Sequence, residues 1–108
     1  MDKKSIEKLV ENMKPYGYDP KIKYNQENTH IKYNSVDITI SKNDPIIIEF
    51  SIRIEYDLLF DQDNIDYLNS KGIDTWSIYK HFLEFTYSPN DEQDLEDTIK
   101  HLLQTYNY

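Results

Sequence analysis

The stretch from Ile46 to Tyr56 constrains this chain more than any other. Every even position in it is apolar (Ile46, Ile48, Phe50, Ile52, Ile54 and Tyr56), while Glu49, Ser51, Arg53 and Glu55 hold odd positions. Successive side chains of a strand point to opposite faces, so this alternation predicts a strand with one buried and one wet face. Shorter alternations precede it at Ile22 and Tyr24, at Ile31 and Tyr33, and at Val36, Ile38 and Ile40. They are separated by the turn-forming stretches Gln26-Glu27-Asn28 and Lys42-Asn43-Asp44-Pro45. Between Tyr33 and Val36 the apolar parity slips by one residue at Asn34-Ser35, for which a β-bulge is expected in preference to a tight turn.

A sheet with one apolar face has to bury it, and the two ends of the chain carry helical patterns suited to doing so. Ile6, Leu9, Val10 and Met13 fall on one face of a helix capped by Asp2 or Ser5 and ended by Pro15 and Gly17. At the other end, Ser88 reads as an N-cap, Pro89 as the first helical residue and Asp91 as the third-position carboxylate, ahead of an apolar stripe of Leu95, Ile99, Leu102, Leu103 and Tyr106. A short helix is expected from Asn64 to Lys71, stopped by Gly72, after a loop whose Leu58, Leu59 and Phe60 are either core or a contact patch. Residues 74–87 fit both periods; a turn of helix near Trp76 followed by a strand through Phe85 and Tyr87 is the expectation. The fold class that follows is α+β over residues 1–108 as a single domain: an antiparallel sheet of three to five strands flanked by an N-terminal and a C-terminal helix.

At 108 residues the chain supports one core. It contains no cysteine, which removes disulfides, thiolate metal ligands and thiol nucleophiles. Neither a signal-peptide-like apolar run nor a membrane-spanning stretch occurs, and a cytoplasmic location is expected. The absence of alanine beside abundant Ile, Lys, Asn and Tyr fits an A+T-rich coding sequence.

Charge is distributed unevenly. Residues 1–56 hold nine basic and nine acidic side chains, whereas residues 57–108 hold three basic and eleven acidic, so the whole net charge of −8 belongs to the second half. That excess argues against direct nucleic-acid binding, which requires cations on the contact face, and suits a protein partner with a basic surface. The candidate partner-binding residues are Asp61, Asp63, Asp66, Asp91, Asp94 and Asp97. Helical projection from Leu95 turns Asp94, Asp97 and His101 away from the core. A plainer account also covers part of the cluster, since carboxylates are favoured near a helix N-terminus and Glu96 precedes Lys100 at the spacing of an ion pair.

Other chemistry finds little support. In Asp61-Gln62-Asp63-Asn64-Ile65-Asp66, Ile65 replaces an oxygen ligand of a calcium loop and Asp66 stands where the turn needs glycine. Tyr67 and Lys71 have the Tyr-x-x-x-Lys spacing of short-chain dehydrogenases, but a chain with two glycines has no dinucleotide loop. His30, His81 and His101 are scattered, and Asp97 and His101 suit a surface ion pair better than half a metal site. No cofactor, metal or catalytic group is expected.

In size, acidity and composition the chain resembles the small inhibitor proteins of bacteriophages and other mobile elements, those of the anti-CRISPR type among them. The likeness transfers no functional residue. It implies a non-catalytic inhibitor that occupies a basic nucleic-acid-binding site of a nuclease-type target, in the manner of a DNA mimic. An immunity protein against a basic toxin, or a self-associating assembly module using Leu58 to Phe60, are the alternatives.

Overall fold

Among the described residues, the strand alternation and the terminal helical stripes resolve into one sheet and three helices. The computed structural model describes residues 1–43, 46–53, 62–71, 76–79 and 82–106. In chain order the elements are α1 (Lys3–Asn12), β1 (Lys21–Tyr24), β2 (Asn28–Lys32), β3 (Val36–Ser41), β4 (Ile48–Arg53), α2 (Gln62–Ser70), β5 (Trp76–Tyr79), β6 (Phe82–Tyr87) and α3 (Glu92–Tyr106). The strands form a six-stranded sheet in the order β1-β2-β3-β4-β6-β5, every neighbouring pair antiparallel.

The register aligns the apolar positions across the ladder. Phe50 is paired with Ile38 on one side and Phe85 on the other, and Ile52 with Val36 and Leu83. These residues are buried, and with Ile6, Leu9 and Met13 of α1, Leu68 of α2 and the stripe of α3 they make a single core. The three helices therefore lie on one face of the sheet. The opposite face stays open, with Lys21, Lys23, Lys32, Glu49, Arg53 and Glu84 exposed. No described helix is long and apolar enough to cross a membrane.

Three local expectations are corrected. The parity slip at Asn34-Ser35 is a two-residue turn, not a bulge: β2 and β3 pair without interruption up to Lys32 opposite Asp37, and the Tyr33 amide donates to the Val36 carbonyl at 2.9 Å. Residues at the two ends of such a turn are partners on the same face, although one number is odd and the other even. The segment around Trp76 is a strand, because pairing with β6 along one edge gives it cross-strand hydrogen bonds that a single helical turn lacks. It brings the sheet to six strands. The C-terminal helix starts at Glu92, with Asp91 as its cap and Pro89 outside it: Asp91 Oδ1 accepts the Asp94 amide at 2.7 Å. At the other end Asp2 caps α1, its Oδ1 accepting the Ser5 amide at 2.8 Å. Expectations for Ile54, Tyr56, Leu58, Leu59, Phe60, Asp61, Gly72, Asp74 and His81 fall outside the described residues.

Ile52 is fully buried between two strands. Ile52→Ala is expected to destabilise the fold by about 2–5 kcal/mol in urea unfolding, and Ile52→Asp to abolish it. Replacing exposed Arg53 on the open face by Ala should change stability by less than about 0.5 kcal/mol.

Candidate functional site

Helix α3 has a different neighbour on each of its sides, and this decides which of its carboxylates reach solvent. The stripe of Leu95, Ile99, Leu102, Leu103 and Tyr106 is buried in the core. A second side meets α1. There Asn12 Nδ2 donates to Glu96 Oε1 at 2.8 Å, and Lys100 Nζ lies 5.1 Å from the centre of the Tyr16 ring. The Glu96–Lys100 ion pair expected from spacing is not made, since each residue has a partner in or just beyond α1.

The third side meets α2, which runs antiparallel to α3 so that Lys71 reaches Asp94 and Tyr67 reaches His101. Asp94 accepts from Lys71 Nζ at 2.8 Å, from the Tyr87 hydroxyl of β6, and from the Asn90 amide at 3.1 Å. One turn on, Thr98 Oγ1 donates to the Asp94 carbonyl at 2.8 Å. The Tyr67 and His101 rings stack with centroids 3.6 Å apart and planes 12° from parallel. Lys71, followed by the Tyr87 hydroxyl and the Asn90 amide, holds the Asp94 carboxyl down to about 2. Asp94 in turn raises Lys71 above the ordinary lysine value. Burial raises Tyr67, and burial together with Asp94 raises Tyr87.

Helical projection sends Asp94, Asp97 and His101 outward together, but only Asp97 is outward. Asp94 and His101 are covered by α2, which a projection from α3 alone leaves out. The Asp97–His101 ion pair is not formed either: Asp97 Oδ1 accepts from Gln93 Nε2 at 2.9 Å while His101 stacks on Tyr67.

Of the other candidate residues, Asp63 and Asp66 are exposed on α2 and Asp91 is exposed at the start of α3, beside Glu92. Asp61 falls outside the described residues. The carboxylates of Asp66, Asp97 and Glu96 are held by the amides of Gln62 (2.8 Å), Gln93 and Asn12 respectively. A neutral amide orients a carboxylate and leaves its charge in place. The two antiparallel helices thus form an outward ridge rich in carboxylates, three of them oriented by amides, and the Lys71–Asp94 pair beneath it ties them together.

General acid–base chemistry works best with groups that titrate near the working pH. Asp94 is pushed below its ordinary range and Lys71, Tyr67 and Tyr87 above theirs, so each shift leads away from neutrality. Among the described residues no three His, Cys, Asp or Glu side chains gather as a metal site would need. An open hollow of about 420 Å³ is lined by Met1, Asp2, Lys3, Tyr24 and Lys42. Its Asp2 is spent on capping α1, and Lys3 Nζ lies 5.3 Å from the centre of the Tyr24 ring.

Reading the sequence missed the roles of Tyr67, Lys71, Tyr87 and Thr98. A usable signal existed in the spacing of Tyr67 and Lys71, which puts both on one helix face. No family model, curated protein or solved structure matches this chain.

Because its folded pKa is depressed, Asp94 contributes stability that is fully present above the ordinary aspartate value and is lost as pH falls through about 2. Asp94→Asn should lower stability near pH 7 by about 1–3 kcal/mol in urea unfolding. Its deficit against the parent protein should narrow as pH falls from about 4 to about 2. Asp97→Asn, outside the network, should stay within about 0.5 kcal/mol of the parent.

Proposed function

We propose that this protein is a non-catalytic inhibitor whose acidic α2–α3 ridge occupies a basic nucleic-acid-binding site on a nuclease-type protein, as a phosphate-bearing strand would. The observation that carries this reading is the way the carboxylates are held. Solubility is served equally well by scattered, freely rotating charges. Here six acidic side chains (Asp63, Asp66, Glu92, Asp94, Glu96 and Asp97) lie on two helices, and Asp66, Asp97 and Glu96 are each fixed by an amide.

Concentrated like charge also opposes folding through self-repulsion. The Lys71–Asp94 pair offsets part of that repulsion beneath the ridge and adds no cation to the outer surface, where one would spoil complementarity to a basic partner. Asp63, Asp66, Asp91, Glu92 and Asp97 are the residues assigned to the contact. Asp94 acts beneath them, holding α2 against α3. The open sheet face, with Lys21, Lys23 and Lys32 beside Glu49 and Glu84, mixes both signs and lacks this bias.

Affinity capture from a bacterial lysate with the parent protein as bait should retain a basic nucleic-acid-binding protein at about 50 mM salt and release it by about 500 mM, as charges beyond a Debye length become screened. With the purified partner, the double reversal Asp66→Lys and Asp97→Lys should slow association at least about ten-fold, with a smaller change in dissociation. The double reversal Glu7→Lys and Glu11→Lys on exposed positions of α1 makes the same net-charge change and should leave association within about three-fold. If the α1 reversals abolish binding and the ridge reversals spare it, the ridge is not the contact.

A further inference from the structure

Among the described residues, His101 is the one side chain with a buried polar atom lacking a hydrogen-bond partner, its Nε2. Its ring lies flat on Tyr67 of α2, and Lys71, one turn further along the same helix, stands at the other end of the α2–α3 contact. The titratable groups around this contact are Asp63, Asp66, Tyr67 and Lys71 on α2, Tyr87 on β6, and Asp94, Asp97 and Lys100 on α3. Asp94 is already taken by Lys71 and Tyr87, Asp97 is turned to Gln93, and Lys100 lies over Tyr16. Among the described residues no acceptor is within hydrogen-bond reach of Nε2.

We propose that protonation of His101 undocks α2 from α3, so that the acidic ridge is assembled above the ordinary histidine range and opened below it. The inference concerns regulation of the surface described above and rests on that reading for its biological meaning; the conformational step stands on the geometry alone. A proton added at Nε2 creates a buried donor with no hydrogen-bond partner, on a ring near the like charge of Lys71. The Tyr67 face attracts a cation, but this attraction does not satisfy the buried N–H. Release of α2 satisfies it, because the imidazolium then meets water. Burial, with Lys71 as the second cause, lowers the pKa of His101. The docked state is then the one that resists the proton, so docking is complete above the ordinary histidine value and weakens as pH falls below it. Among the described contacts, α2 is held by Leu68 in the core, the Lys71–Asp94 pair and the Tyr67–His101 stack. The stack alone responds to pH in this range.

Hydrogen exchange read by mass spectrometry on the intact chain tests this at pH 7.5 and 5.5, with rates corrected for the intrinsic pH dependence of exchange. Protection of Gln62–Ser70 should drop by up to about ten-fold at the lower pH, the limit when only the undocked state takes up the proton. Protection of β3 and β4 should not change. His101→Phe keeps an aromatic ring on Tyr67 and removes the proton, and should abolish the drop. In the parent protein, the His101 ring followed by NMR should titrate below the ordinary histidine value, in step with amide shifts across α2; this readout stands even if the variant fails to fold. Equal α2 protection at both pH values, a drop that survives in folded His101→Phe, or a ring that titrates at or above the ordinary value would each overturn the proposal. Each of these outcomes leaves the charge-reversal binding test at pH 7.5 untouched.

Discussion

Phe50 sits in the ladder between Ile38 and Phe85, its ring stacked on that of Phe85 at 5.1 Å, and the row it belongs to is apolar on one side of the sheet only. Every other feature of the molecule depends on this one-sided burial. An apolar sheet face exposed to water is unfavourable by about 25 cal/mol for each Å². All three helices accordingly gather on that face and share one core with it. The charges borne by α2 and α3 are thereby collected in one layer, away from the lysines on the open face. Of the acidic side chains after residue 56, those of α2 and α3 lie in this layer, while Glu84 is on the open face.

Within that layer α3 organises its neighbours. Its apolar stripe holds it to the sheet, Glu96 and Lys100 engage Asn12 and Tyr16 at the end of α1, and Asp94, Thr98 and His101 form the contact with α2. What remains exposed is a narrow strip containing Gln93 and Asp97, continued by Asp91 and Glu92 at the helix start. One aspartate, Asp94, is spent on internal structure, and others a turn away stay free of cations. This division of labour separates the groups that build the surface from those that present it.

The sheet was legible in the sequence because period-two alternation is a direct consequence of strand geometry, and Ile48, Phe50 and Ile52 allow only one assignment of faces. The stripe from Leu95 to Tyr106 was legible for the same kind of reason. Less was available where tertiary pairing chooses between local options. Trp76 to Tyr79 fits two periods, and the edge of β6 settles it as a strand. Asn34-Ser35 fits a bulge or a turn, and uninterrupted pairing settles it as a turn. The candidate site was half legible for a related cause: a projection shows which residues leave the core face of α3, but not that a second helix covers part of the remainder. Asp94 and His101 were lost to that omission, and Asp97 was not.

If the ridge stands in for nucleic acid, it and a nucleic-acid strand cannot sit on the partner together. The most direct measurement is competition at equilibrium, with a fluorescently labelled duplex bound to the partner and this protein added as competitor at fixed salt. The account predicts complete displacement of the duplex, with a half-maximal concentration of the protein that rises in proportion to the duplex present. A ternary complex of protein, partner and duplex, seen as a plateau of bound label that excess protein does not remove, would contradict it.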